Sequence, residues 1–261
     1  MGHQRVLKES GTYKITDAQL ETMDPFWEPG DILIVRKNWH LSNVGLPGFW
    51  PHAVLYTGSV KKSTAYFDDL EVREWLQEIT GREISFPNYL ASRFPEHWVQ
   101  YSNSAEDEPI RVIEAVDPRV LLRTLAQANG DYLAAMRPRM NKLAKAQAIV
   151  VAFSHLEKPY DYNFEFATDH ALVCTELVWR SYRPSSGKKG LTIDLVTITG
   201  RKTLPANELA SLYSSEHEQD NAQLEFVYFL DATEEADETF VSDEAAFRKS
   251  YTRSKWSFVL D

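Results

Sequence analysis

Short, almost wholly apolar runs constrain this chain more than any other feature. DILIVR (31–36) is nearly all apolar and rich in branched side chains, which reads as a buried strand. HAVLYTG (52–58) reads as a second strand closed by Gly58, RVIEAV (111–116) as a third stopped by Asp117-Pro118, VLLRTL (120–125) as a fourth, and LEFVYFL (224–230) as a final one. Between the first two, NWHLSNVGLPGFWP (38–51) carries Pro/Gly breaks and large aromatics, so it reads as a structured loop.

Helical spacing falls elsewhere. Residues 13–23 predict a short helix, with Asp17 as a cap and Leu20 and Met23 three apart, ended by the prolines and glycine of PFWEPGD. EVREWLQEITG (71–81) predicts a helix ending at glycine. The stretch 84–109 is polar, with two prolines ahead of the acidic run EDEP, and reads as an irregular excursion. The clearest helix lies in 140–156, where Met140, Leu143, Ala144, Ala148 and Val151 recur at helical spacing. After the aromatic loop PYDYNFEF (159–166), HALVCTELVWRSY (170–182) sets Cys174, Leu177, Val178 and Ser181 on one face and ends before Pro184. A Ser/Gly/Lys loop (185–190) leads on to TIDLVTI (192–198). Residues 231–244 hold seven Asp/Glu and no Lys or Arg, which reads as a solvated acidic segment. The result is a sheet of about five short strands with helices mostly not interleaved between them, hence α+β. The chain is expected to form one domain over 1–261, with an insertion at 59–109 and an acidic C-terminal segment at 231–261.

Composition narrows the function classes. With 43% hydrophobic and 25% charged residues the chain can bury a core. A net charge of −10 disfavours nucleic acid and anionic membrane surfaces as partners. No window approaches the roughly 18 apolar residues of a membrane span, and the N-terminus lacks the apolar run of a signal peptide. No stable membrane insertion is expected, and a cytoplasmic place is the default expectation. One cysteine excludes an intramolecular disulfide and a zinc site built from several thiolates.

That cysteine, Cys174, is either a small core hydrophobe or a reactive thiol. It follows the polar stretch Ala167-Thr168-Asp169-His170, near a helix N-terminus, where the dipole and the backbone amides favour a thiolate. A thiolate nucleophile needs a base, and histidine suits neutral pH. Of seven histidines, His3 is terminal, while His97, His155 and His217 sit in polar or helical surroundings and read as solvated. His40 lies in the aromatic loop, and His170 stands where it could cap the cysteine's helix. His52 begins a hydrophobic strand directly after a Pro/Gly loop, so a rigid sheet edge would aim its imidazole. A strand-end histidine bonded to a loop carbonyl is the alternative. Glu114, flanked by Val112, Ile113 and Ala115, is an orienting carboxylate or an edge-strand glutamate facing water.

GDILIVR, then HAVLYTG, then VIEAV, and much later YDYNF and CTELVWRSY, resemble the permuted papain-like group of the NlpC-type superfamily (YiiX/YebB-like). The group runs histidine first and cysteine last, with blocks of the form G-D-h-h, H-h-h-h-h-G, h-h-E-A and Y-C-S-E-L-h, where h is hydrophobic. Here Val173 stands for the aromatic and Thr175 for the serine, while LPANEL (204–209) resembles a downstream P-x-x-L element. The resemblance covers about residues 29–230 and is specific only in the short blocks. It implies a circularly permuted papain-like fold, a small antiparallel sheet packed against helices with the catalytic cysteine at a helix N-terminus. It further implies that Cys174 attacks a carbonyl carbon, that His52 takes and returns the proton, and that Glu114 orients the imidazole. The backbone N–H of Cys174 is then the expected oxyanion donor. Tyr160 or Tyr162 could supply a second donor or a substrate wall, although core packing is their simpler reading. Trp39, Phe49 and Trp50, just before His52, are expected to line the cleft.

The resulting expectation is a cysteine-dependent amidase or peptidase acting through a thioester, without a metal or other cofactor. Its substrate would be a small peptide or acyl amide, with a cell-wall peptide or a lipid among the options. Two alternatives stand beside it: a lipid acyltransferase or thioesterase of lecithin retinol acyltransferase-like type, and a non-catalytic ligand-binding module. A metal hydrolase fits least, because no H-E-x-x-H is present.

Overall fold

The apolar runs pair into one antiparallel sheet. The computed structural model describes residues 13–38, 47–105, 108–164, 166, 170–233 and 238–255. Strand β1 (Ile32–Arg36) pairs with β2 (His52–Tyr56) on one side and β5 (Tyr132–Pro138) on the other. β3 (Ile110–Val116) and β4 (Arg119–Thr124) follow β2, while β8 (Leu224–Thr233) and β9 (Glu238–Ser242) extend the sheet beyond β5. The order is β4-β3-β2-β1-β5-β8-β9, with a separate hairpin of β6 (Val196–Ile198) and β7 (Arg201–Thr203). Seven strands thus replace the expected five or so. The run 192–198 contributes only its last three residues to a strand, and to the small hairpin. The overlooked strand β5 reads YLAAMRP, and its alanines carry little of the β-branched signal by which its neighbours are visible.

Both faces of the central strands are covered, which explains their unbroken apolar character. Ile32, Ile34, Ala53, Leu55, Ile113 and Ala115 share one face. Helices α7 (Lys142–Phe153) and α8 (Cys174–Tyr182) pack there, α8 against α7, β2 and β3. Leu33, Val35, Val54, Tyr56 and Val112 share the other, with Leu20 and Met23 of α1 (Asp17–Met23) over them. The cap of α1 is Thr16, in a reciprocal pair with Gln19, rather than Asp17.

The segment 59–102 is largely helical, contrary to the irregular excursion expected for 84–109. It carries α2 (Val60–Tyr66), α3 (Leu70–Thr80), α4 (Phe86–Arg93) and α5 (Pro95–Ser102). Its prolines fall in the first turns of α4 and α5, where a missing N–H breaks nothing. As expected, α3 ends at Gly81, in the left-handed conformation. Short α6 (Leu125–Ala128) follows β4, and α9 (Ala206–Glu216) follows the hairpin. Among the described residues no helix is long and apolar enough to cross a membrane.

The acidic segment is likewise not a solvated tail. Residues up to Thr233 belong to β8, those from Glu238 to β9, and α10 (Glu244–Ser250) closes back on the core. Asp231 is buried and takes both guanidinium nitrogens of Arg253 at 2.6 Å. Phe247 is fully buried among Trp50, Tyr213, Phe226 and Phe229. Among the segment's described acids, Glu238, Asp243 and Glu244 are exposed, so the composition reads as solvated, while Asp231 and Phe247 anchor the backbone inward. Phe247→Ala is expected to cost about 3–5 kcal/mol, the usual range for emptying a core aromatic site. Urea unfolding measures it, and an unchanged midpoint would restore the solvated-tail reading.

Candidate functional site

Strand register brings the first two residues together. Leu55 pairs with Ile113 and Tyr56 with Val112. Extending that antiparallel register sets His52 diagonal to Glu114 on one face, within reach of long side chains. His52 Nε2 lies 2.5 Å from Glu114 Oε2. The Glu114 carboxylate has no exposure to solvent, so its charge needs partners. Arg123 Nη1 is 3.1 Å from its other oxygen, off hydrogen-bonding geometry, and Lys37 adds positive potential. Burial alone would raise this carboxyl, but the His52 hydrogen bond and charge, then Arg123 and Lys37, hold it down at about 2.

The thiol enters from the helix side. Cys174 is the first residue of α8, after an N-cap, Val173, that provides no side-chain bond. Leu177 and Val178 are fully buried and press this face of the helix onto the sheet. At the far end the Tyr182 hydroxyl donates to the Gly30 carbonyl, just before β1. Gly30 has φ +100°, and a Cβ there would sit 2.8 Å from that hydroxyl and 2.9 Å from Lys145. The glycine of the G-D block thus permits the close approach that fixes α8. Its partner Asp31 accepts from the Glu28 backbone N–H at 2.8 Å and from Arg137 at 3.0 Å.

Cys174 is 3% exposed, and its sulfur lies 4.0 Å from the Pro51 carbonyl oxygen. Burial raises its pKa, but the charge and hydrogen bond of His52, with the backbone N–H groups of Ala53 and Thr175, outweigh this and lower it below the ordinary thiol value. For His52, burial favours the neutral ring, yet the thiolate and then Glu114 lift it to about 9. Both shifts run towards a thiolate–imidazolium pair. With Nε2 engaged by Glu114, the ring nitrogen left for the sulfur is Nδ1. Such a chain can carry a proton from thiol to imidazole and hold the ring's orientation.

The cysteine opens into a cleft of about 210 Å³. Tyr162 lines it, half-exposed, with its hydroxyl donated to Asp117. Tyr160 does not line it; it sits behind, its ring against Tyr162 and Phe164, close enough to Cys174 for the thiolate to raise its pKa, after burial. Trp50 corrects the expectation of a cleft wall. It is fully buried, its Nε1–H donates to Ser250 Oγ at 2.8 Å, and its ring packs on Phe49 and Phe229. Phe49 is buried with it. Trp39 and His40 lie outside the described residues. His170 is exposed and does not cap α8, while His97, His155 and His217 are partly buried rather than solvated.

Several neighbours escaped the sequence reading. The LPANEL block supplies cleft wall through Leu204, Pro205 and Ala206. Arg123 was findable in principle: Glu114 faces Leu121 in the β3–β4 hairpin, which puts Arg123 diagonal to it. Glu176, in the first turn of α8, is fully buried; burial lifts its carboxyl to about 7 against the pull of Arg180, 2.8 Å away. Among the described residues no group of three or more His, Cys, Asp or Glu is placed to hold a metal ion.

Known proteins resemble this chain in the same terms. The family described as permuted papain-like amidase enzyme, YaeF/YiiX, C92 family, matches residues 27–233. No curated protein matches. A solved structure described as metalloprotein yiiX from Escherichia coli O157:H7 is similar, at 20% identity and a TM-score of 0.39, over 84% of this chain and 91% of that one. The match over most of its length identifies the chain as a member of the permuted papain-like amidase family, a cysteine hydrolase whose substrates are small peptides or amides.

Proposed function

We propose that the protein cleaves an amide or peptide bond through a thioester on Cys174, with His52 as the proton carrier and Glu114 as the group that orients it. The observation that carries this reading is Glu114 held 2.5 Å from His52, with His52 close enough to Cys174 to lower the thiol's pKa, and with the sulfur at a helix N-terminus that lines the cleft.

In the first half-reaction His52 holds the thiol proton and the thiolate attacks the carbonyl carbon. The Cys174 backbone N–H, at the uncapped start of α8, stabilises the oxyanion. The C–N bond then breaks, and the imidazolium gives its proton to the departing amine. In the second half, His52 takes a proton from water as the hydroxide adds to the thioester. Collapse releases the acid, and the proton returns to the sulfur. Glu114 stays ionised throughout, holding the imidazole and favouring its charged form.

Cys174→Ala is expected to lower turnover of peptide and acyl-amide substrates by about 10³-fold or more, with the urea midpoint nearly unchanged. Turnover that survives the substitution overturns the mechanism. The pH profile should be a bell. Its acid limb marks protonation of the thiolate, below the ordinary thiol value, and its alkaline limb marks loss of the imidazolium proton near pH 9. Because the carboxylate raises the imidazole, Glu114→Gln should move the alkaline limb to lower pH. A limb that stays in place argues that Glu114 does not orient His52. Alkylation of the single thiol by iodoacetamide, followed by whole-protein mass, should likewise persist well below the ordinary thiol range and change in His52→Ala.

A further inference from the structure

We infer that the cleft carries a carboxylate-binding subsite built on Arg201, so that the preferred substrates are amides bearing a carboxylate near the scissile bond; this rests on the cysteine mechanism proposed above. Among the described residues lining the cleft, Arg201 holds the only formal charge besides Cys174. The remaining wall is largely apolar, with Phe164, Val173, Ile198 and Leu204 prominent. Arg201 itself is exposed and meets a ligand from the solvent side, where its attraction is partly screened.

The local backbone fixes where this charge stands. Ile198 pairs with Arg201 across the β6–β7 hairpin, and the two residues between them, Thr199 and Gly200, have φ +49° and +82°. Positive φ at both positions marks the tight turn whose twist matches its strands. One guanidinium nitrogen, Nη1, donates to the Asn163 carbonyl and tethers Arg201 to the aromatic loop. Among the described residues no carboxylate pairs with it. The nearby acids are engaged: Asp117 accepts from Tyr162, and Asp161 accepts from the Asn163 backbone N–H at 2.8 Å. A planar fork with unused donors, facing a cleft, suits a carboxylate. The protein's net charge of −10 opposes anions at long range, so an anionic preference would have to arise locally.

The carboxylate has two sources, an acidic side chain or a free peptide terminus, and one experiment separates them. Three reagents that alkylate the single thiol serve as probes: neutral N-bromoacetyl-glutamine amide, N-bromoacetyl-glutamate amide with its side-chain carboxylate, and N-bromoacetyl-glutamine with its free terminal carboxylate. Labelling rates are read by whole-protein mass in the unaltered protein, in Arg201→Met and in Arg201→Glu. The His52 imidazolium attracts every anion in all three proteins, so the informative quantity is the change in the acidic-to-neutral rate ratio. At least one acidic reagent should show a ratio about three- to fivefold higher in the unaltered protein than in Arg201→Met, the upper scale of an exposed ion pair. Arg201→Glu should lower the ratio further, and the neutral reagent should label all three proteins alike. The faster acidic reagent names the carboxylate's source. Ratios that do not depend on residue 201 overturn the subsite and leave the Cys174 chemistry standing. A thiol that none of the reagents labels before unfolding overturns both.

Discussion

A carboxylate sealed from water, Glu114, sets the terms for the centre of this structure. An unpaired charge there would cost several kcal/mol, so the strands around it must keep the register that brings cations to it. His52 comes from β2, Arg123 from β4 and Lys37 from the end of β1. A one-residue slip of any of these strands would turn its side chains to the opposite face and strand the charge. The contact that stabilises Glu114 also orients the imidazole and raises its pKa. Sheet register and site electrostatics are therefore one constraint.

The second constraint is the seat of α8. Its face is held by Leu177 and Val178, and its end by Tyr182 reaching the Gly30 carbonyl. Lys145 of α7, nearly inaccessible, bonds Glu28 and the Tyr66 hydroxyl at 3.0 and 3.1 Å, close by Gly30. A short block, Glu28 to Asp31, thereby joins both helices to the first strand. The cysteine's placement thus depends on residues far from the cleft, packed too densely to move independently.

Legibility in the sequence followed burial. β1, β2 and β3 were readable because two covered faces leave nearly unbroken apolar runs, β4 because its alternating positions still carry Val120, Leu121 and Leu122 in a row, and α7 and α8 because their apolar residues recur at helical spacing. β5 was not, since Ala134 and Ala135 pack without announcing a strand. The prolines of 84–109 suggested disorder of shape, whereas their role is to start helices. Trp50 illustrates a different limit. An aromatic two residues before a candidate histidine looks like a cleft wall, yet Trp50 is buried in the core together with Phe49, its ring against Phe49 and Phe229.

By itself the sequence determined the candidate thiol, imidazole and carboxylate, the strands and helix that carry them, and the α+β class. These follow from residue type and from periodicity along a few residues, which are local properties. Only the tertiary structure decided that His52 Nε2 meets Glu114, that Arg123 and Lys37 balance the buried charge, and that Arg201 from a distant hairpin borders the same cleft. Those relations depend on strand register and on the docking of separate elements. Both arise from summed packing over the whole core, a quantity that no short window of sequence contains.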